Sequence, residues 1–338
     1  MPALAVAEAL RQRGVSVTFA GSPDRVEARL VPEAGYELDT FRISGFPRRP
    51  SPALVRALMR AGAAPAACAR ILRRRRPDVV LGAGGFVAGP MVVAASALRI
   101  PAALTEADAH LGLANRLAAP FARRLFLAYP IAGREGPKTS VVGRPIPARS
   151  RAIPQQEARQ IFELPAEGPV VGVFGALAGA LALNEFAAET WGKEGPAILH
   201  VTGARDYDLV RGKVQRPDYR ILPETDRFGA AIAACDLVLS RSGSTVWEIA
   251  AAGRPAIFVP YPFATGDHQA LNAEHFVRAG GAVLVRELEL DRVPELVRTF
   301  LADPERLARM GDAMLAAARP DAADEIADGL VALTERRP

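Results

Sequence analysis

Apolar and polar positions fall into two alternating periods along the chain. Leu4, Val6, Ala7 and Leu10 recur at helical spacing and predict a helix over 3–13. The run 15–21 reads as a strand, 24–35 as a helix stopping at Gly35, and 36–43 as an alternating strand. Over 52–76, Leu54, Leu58, Met59, Ile71 and Leu72 stand among Arg56, Arg60, Arg70 and Arg73 to Arg76. This basic amphipathic segment is expected to break into two helices at Pro65. Residues 79–98 are uncharged and long enough to cross a bilayer. They contain Gly82, Gly84, Gly85, Gly89 and Pro90, however, and so predict strand, glycine turn and helix. Residues 170–184 repeat that pattern, two strands are expected within 124–142, and further strands at 197–203, 236–240 and 255–260. Three helices close the chain over 292–337. Strands alternating with helices predict parallel sheets in an α/β fold. A length of 338 residues predicts two domains, 1–147 and 155–338, joined by a linker near 145–155 rich in Pro, Arg and Ser.

Charge changes this picture. Residues 1–150 carry 22 Lys and Arg against 10 Asp and Glu, whereas 151–338 carry 20 against 27. A basic half fits nucleic acid, an anionic membrane surface or a phosphate substrate. Nucleic acid fits worst, because no binding motif is visible and no aromatic residues are interleaved with the arginines. An arginine run that is merely solvated fits equally well. Cys68 and Cys235 lie far apart in apolar contexts and read as buried thiols of a reducing compartment. No signal peptide is recognisable. No Asp-x-Asp motif or His/Cys cluster is evident, so neither metal nor cofactor is expected.

The richest chemistry lies in 241–272. An apolar strand meets the turn Arg241-Ser242-Gly243-Ser244, which opens a helix carrying Thr245 and Glu248. Such a turn aims backbone N–H groups at an anion, and a carboxylate one turn in can accept from ribose hydroxyls. A capped helix with a solvated Glu is the better account of those residues taken alone. The second polar cluster, Asp267-His268-Gln269 with Asn272, follows the next strand and favours a shared crevice. In the first half, Gly84, Gly85 and Phe86 end a strand where backbone can approach a diphosphate or simply turn. Glu106 and Asp108 end another; a carboxylate there can serve as general base or orient neighbouring backbone.

These residues, from SRSGSTVWEIAAAGRPAIFVPYP through DHQALNA, with GGFVAGP at 84–90 and GLANR at 112–116, resemble the MurG family of peptidoglycan N-acetylglucosaminyltransferases (glycosyltransferase family 28). The resemblance covers nearly the whole chain. It implies a GT-B fold, two doubly wound domains facing a cleft, the last helix crossing back to the first domain. The implied reaction is inverting transfer of GlcNAc from UDP-GlcNAc to the MurNAc 4-hydroxyl of the undecaprenyl-linked acceptor lipid I. The implied place is the cytoplasmic face of the bacterial plasma membrane, held peripherally. On the donor side it implies Ser244 and Thr245 at the diphosphate, Glu248 at the ribose, Gln269 at the GlcNAc hydroxyls and the backbone near Thr225 at the uracil, with Ser242, Gly243 and Asn272 also donor-binding. Gly175 and Arg144 join that set; Gly84, Gly85 and Phe86 are implied at the acceptor diphosphate, with Glu106 and Asp108 as candidate bases.

The chain departs from the family pattern in places. Pro2-Ala3-Leu4-Ala5 follows Met1 at once, where the family has a strand and a G-G-x-G-G-H loop, so an upstream start is expected. Leu177 replaces a phosphate-contacting Ser, Thr105-Glu106-Ala107-Asp108 replaces H-E-Q-N, and Arg144 and Pro147 replace the Asn and Arg of G-N-P-V-R. Another GT-B transferase and a non-catalytic nucleotide-sugar-binding homologue therefore stand as alternatives.

Overall fold

The computed structural model describes residues 2–43, 52–175 and 180–335, without the side chains of 52–63, 149 and 265. The chain divides into two compact units, Met1–Pro147 with Asp321–Pro338, and Ala148–Pro320.

The first unit holds α1 (Pro2–Gln12), β1 (Thr18–Gly21), α2 (Glu27–Glu33), β2 (Glu37–Thr40), α3 (Pro52–Arg75), β3 (Val80–Gly82), α4 (Gly85–Ala97), β4 (Ala102–Glu106), α5 (Leu113–Ala118), β5 (Arg124–Leu127) and β6 (Thr139–Val141). Its strands form two parallel sheets, β1-β2 and β3-β4-β5-β6. The uncharged stretch 79–98 is β3, a glycine turn and α4, and no helix among the described residues is long and apolar enough to cross a membrane.

α3 corrects one expectation: it is a single helix with Pro65 inside. Ala64, Cys68 and Leu72 fall four residues apart and bury one stripe in the cluster that contains Val92 and Ala95 of α4. That packing outweighs the one backbone hydrogen bond Pro65 cannot make. Part of the arginine run is also neutralised, because Arg74 and Arg75 both bind the buried Asp39 and Arg75 also binds Glu37.

The second unit holds α6 (Gln155–Ile161), β7 (Val170–Phe174), α7 (Leu181–Trp191), β8 (Ala197–Val201), α8 (Tyr207–Lys213), β9 (Tyr219–Leu222), α9 (Phe228–Ala233), β10 (Leu237–Ser240), α10 (Val246–Ala251), β11 (Ala256–Phe258), α11 (His268–Arg278), β12 (Ala282–Leu284), α12 (Val293–Leu301) and α13 (Pro304–Ala317). Its six strands make one parallel sheet in the order β12-β11-β10-β7-β8-β9. Read from β9, and renumbered within the unit, that is 3-2-1-4-5-6, the doubly wound order whose switch point lies between β7 and β10. β7, β10 and β11 are buried at every position, as strands covered on both faces must be.

The final helix, α14 (Ala322–Glu335), belongs to the first unit. Ile326, Ala327 and Leu330 pack with Ala5, Val6 and Ala9 of α1 and with Phe126 of β5. Gly329 permits the close approach: a Cβ there would lie 2.6 Å from the Phe126 ring.

Candidate functional site

In a doubly wound sheet, neighbouring connections leave the switch point on opposite faces, so the strand ends there open a crevice. In the second unit those ends are Phe174 and Ser240. They are tied together: the Ser240 hydroxyl lies 3.0 Å from the Phe174 carbonyl, to which the Arg241 N–H also donates. Gly175 begins the turn after β7. A Cβ there would meet the Ala180 nitrogen at 2.9 Å and Asn184 Oδ1 at 3.2 Å, so only glycine fits. Leu177 lies outside the described residues.

After β10 the turn residues divide by burial. Arg241 turns inward, donating to the Val259 and Pro260 carbonyls and to Glu287 while its guanidinium stacks on Tyr261. Ser242 is wholly buried, with its hydroxyl unpartnered within the described residues. Asn272 is buried too and donates to the Ser242 carbonyl at 3.4 Å. Ser242 and Asn272, both expected at the donor, are thus buried at this turn, with Asn272 tied to the Ser242 carbonyl. Ser244 is exposed, and Gly243, Thr245 and Glu248 are half-buried at the turn and the first turn of α10.

The two polar clusters do come together. Gln269 accepts the Tyr261 N–H at 2.9 Å through Oε1, and its Nε2 lies 3.7 Å from where a Gly243 Cβ would stand. The loop after β10 and the start of α11 thus share one edge. Thr225, after β9, accepts the Arg227 N–H at 3.1 Å. Phe228, just beyond, stacks edge-on against Phe174 at 5.2 Å, which brings this segment to the end of β7. Sequence reasoning missed Arg241 and Phe228, and nothing in the local pattern marks either.

Beneath Gly175 lies a buried polar chain. Asn184 donates to the Thr202 carbonyl and to Asp206, and its Oδ1 is 2.9 Å from His200 Nε2. His200 Nδ1 meets the Tyr219 hydroxyl at 2.9 Å. An amide oxygen can only accept, so Nε2 carries the imidazole proton and Tyr219 donates to Nδ1. Burial depresses the His200 pKa to about 3, keeping the ring neutral.

In the first unit, Gly84 and Gly85 have φ of 90° and 68°, a left-handed turn open only to glycine in front of α4. Phe86 lies half-buried under the Arg25 guanidinium, 5.3 Å from its ring centre. Glu106 ends β4, 8% exposed, and accepts from the Ala107, Asp108 and Gly112 N–H groups and from Asn115 Nδ2 at 2.9–3.3 Å. With four donors converging on its two oxygens, this carboxylate shapes the loop, and its geometry favours the orienting role over that of a base. Asp108 is half-buried on that loop, and Arg144 of the same unit donates to the Ala107 carbonyl at 3.4 Å. Arg144 therefore stands with Glu106 and Asp108 in the first unit. Among the described residues no His, Cys, Asp and Glu group is arranged to hold a metal.

Residues 1–127 match the glycosyltransferase family 28 N-terminal domain, and residues 170–326 match the C-terminal domain of that family. The chain belongs to glycosyltransferase family 28. It is 41% identical over 336 residues, 96% of this chain and 92% of the relative, to the UDP-N-acetylglucosamine–N-acetylmuramyl-(pentapeptide) pyrophosphoryl-undecaprenol N-acetylglucosamine transferase of Acidithiobacillus ferrooxidans. The transferase of the same name from Halothermothrix orenii is 35% identical over 339 residues, 94% of this chain and 91% of that one. Among solved structures, Acinetobacter baumannii MurG superposes with a TM-score of 0.78 at 26% identity, covering 98% of this chain and 95% of that chain. A UDP-GlcNAc 2-epimerase from Neisseria meningitidis, solved with UDP-GlcNAc, shares the fold at a TM-score of 0.67 and 15% identity, over 97% and 95% of the two chains. The family 28 chain has the GT-B fold, with two α/β units built on parallel sheets.

Proposed function

We infer that this family 28 chain transfers N-acetylglucosamine from UDP-GlcNAc to the MurNAc 4-hydroxyl of undecaprenyl-pyrophosphoryl-MurNAc-pentapeptide, turning lipid I into lipid II in peptidoglycan synthesis. The observation that carries this reading is 41% identity across 96% of the chain to a transferase named for that reaction.

We assign the residue roles from the geometry above. The donor diphosphate lies at the switch point, on the backbone N–H groups of the Gly243–Thr245 turn and facing Gly175, with Ser244 the exposed hydroxyl. Glu248 accepts from the ribose hydroxyls, Gln269 Nε2 donates to the sugar, and the segment near Thr225 borders the uracil. Fixed N–H dipoles stabilise the charge that grows on the departing UDP without reorganising, which is how such a site lowers the barrier. Inversion follows from direct displacement: a base removes the proton of the acceptor hydroxyl, whose oxygen attacks C1 of the sugar as UDP leaves. Asp108 is the side chain we assign to that proton, with Glu106 and Arg144 holding its loop. Gly84, Gly85 and Phe86 receive the acceptor diphosphate. The exposed part of the α3 arginine run supports peripheral attachment to an anionic membrane face.

The test is a steady-state assay with UDP-GlcNAc and a lipid I analogue on anionic vesicles. Losing the charged hydrogen bonds of a ribose-binding carboxylate costs about 1.5–3 kcal/mol. Glu248→Ala should therefore raise KM for UDP-GlcNAc roughly 10- to 150-fold with a smaller change in kcat. An unaltered KM would remove Glu248 from the donor site.

A further inference from the structure

We propose that the second unit carries a further binding site, at the N-terminal ends of β7, β10 and β11. Its ligand is a small monocarboxylate with an aliphatic body, whose carboxylate accepts from Arg254. The site lies within one unit and rests on none of the roles assigned to the transfer reaction.

A cavity of about 490 Å³ opens there, within the size range of small-molecule pockets. Pro169, Asp236 and Pro255 line it, and each immediately precedes the first residue of its strand. The Gly243–Thr245 turn stands at the other end of β10, four residues or about 13 Å along the sheet. The two places are therefore separate. One wall is α13, whose Leu307, Gly311 and Leu315 fall four apart on one face. Leu301, the last residue of α12, adds to the apolar lining. Glycines hold α13 close to the end of α10. A Cβ at Gly311 would lie 2.7 Å from the Gly253 carbonyl oxygen, and one at Gly253 2.9 Å from the Leu315 side chain. The cavity thus persists beside a tight helix contact.

Charge in this cavity is unbalanced. Arg254 lines it, half-buried, and donates to the Ala233 carbonyl at 2.8 Å through one Nη. Its Nε–H is buried and has no partner among the described residues. Asp236, the carboxylate at the neighbouring strand start, is committed elsewhere. It accepts from Arg159 and from the Val170 N–H, each at 2.7 Å, and from Gln155 at 3.0 Å. Arg159 in turn uses its other nitrogens on the carbonyls of Ala234, Pro165 and Ala166. Burial lowers the Arg254 pKa, yet a guanidinium keeps its charge at neutral pH. A partly desolvated cation with an unmet donor is costly, and an oxyanion offsets both terms.

The lining selects among oxyanions. Asp236 and the exposed Asp312 border the same cavity, so a dianionic phosphate is repelled where a single negative charge matches Arg254. Pro169 and Pro255 bring no N–H, so neither of these strand starts adds a competing donor. Leu301, Leu307 and Leu315 offer aliphatic surface, and among the described residues no aromatic side chain joins them. That suits a hydrocarbon body rather than a stacked ring.

The test titrates octanoate into the full chain, read by calorimetry and by the NMR resonance of the Arg254 Nε–H. One molecule per chain should bind with a Kd below about 1 mM, and the resonance should shift in step with saturation. Octanol, the same body without the charge, should bind at least about tenfold more weakly. Arg254→Gln should abolish that preference. Asp312→Asn, at an exposed position, should tighten octanoate about two- to fivefold by removing a like charge. An N-acetylated tripeptide ending in leucine should bind more weakly than octanoate, and tighter binding would put a protein tail in place of the small acid and overturn the proposal. It is overturned as well by the absence of saturable binding, by equal affinities for octanol and octanoate, or by an Nε–H resonance unmoved at saturation. A preference that survives Arg254→Gln, or an octanoate affinity no tighter in Asp312→Asn, overturns it too. Should Arg254→Gln fail to fold, the resonance and Asp312→Asn decide the question without it. None of these readouts depends on sugar transfer, so failure here leaves the proposed reaction standing.

Discussion

The two units are built from the same kind of element and differ in how completely their strands are covered. In the second, six strands form one sheet, and β7 and β10 at its centre have neighbours on both sides and no exposed residue. In the first, the sheet is in two pieces, and β1 is exposed or half-buried at three of its four positions. A parallel strand gains its stability from burial on both faces and pairing on both edges. The second unit supplies both at its switch point, where turns must be held still. Among the described residues, β1 pairs on one edge only, with β2, and β3 on one edge only, with β4.

The sharpest way to test that contrast is to remove the same side chain from each sheet. Phe258 of β11 is fully buried beside Phe276, with ring centres 6.3 Å apart, whereas Phe19 of β1 is half-buried against Tyr36 on the wall of a cavity in the first unit. Phe258→Ala should destabilise the second unit by about 3–5 kcal/mol, transfer and cavity terms together. Phe19→Ala deletes a ring that already borders a cavity and should cost about 1–2 kcal/mol. Hydrogen exchange at β10 and β1, read in the full chain, separates the two units. Equal losses would mean that the wall of this cavity is as well packed as the second core.

The same contrast explains what could be read from the chain. The fully covered strands of the second unit are uninterrupted apolar runs, and glycines in a long uncharged stretch correctly marked β3, a turn and α4 rather than a membrane span. The single helix through Pro65 was not legible, because a stripe at Ala64, Cys68 and Leu72 decided it against local preference. At the site, residue type located the turn but not the direction of each side chain. Ser242 and Ser244 are both serines of one turn, yet one is wholly buried and the other exposed. Gln269 reaches the turn and Asn272 lies behind it, three positions along one helix. Likewise, the donors that fill the Glu106 carboxylate are backbone N–H groups and an amide nine residues away, which no spacing rule announces.

That carboxylate gives the next test, of about 3 kcal/mol. Glu106→Ala strips four donors of their acceptor in a site 8% exposed, and unsatisfied buried groups of this kind cost about 1–3 kcal/mol each when water cannot replace the partner. The first unit should lose about 3 kcal/mol or more in chemical denaturation while the second keeps its midpoint. Glu106→Gln separates orientation from proton transfer. An orienting Glu106 predicts a lower unfolding midpoint with activity falling as the folded fraction falls. A general base predicts an unchanged midpoint and a loss of about a hundredfold or more in kcat.

The smallest effect tests the core of the second unit, through its buried histidine. His200 has its pKa lowered from 6.5 to about 3 by burial, so the unfolded chain takes up a proton across that interval and the folded chain does not. The contribution of the neutral ring is therefore fully present above pH 6.5 and is lost as pH falls from 6.5 toward 3. The slope for one such group is about 1.4 kcal/mol per pH unit. Tyr219→Phe leaves His200 Nδ1 without the hydroxyl 2.9 Å away and should cost about 1 kcal/mol at neutral pH. Because that variant keeps the aromatic ring that packs on His200, the histidine stays buried and the acid slope should remain. His200→Gln should flatten it by about one proton, since no titrating ring remains in either state. Denaturation midpoints at pH 5 and pH 7, followed at β8 in the second unit, read this difference. An acid slope that survives in His200→Gln would assign the acid sensitivity of this sheet to its carboxylates rather than to the buried ring.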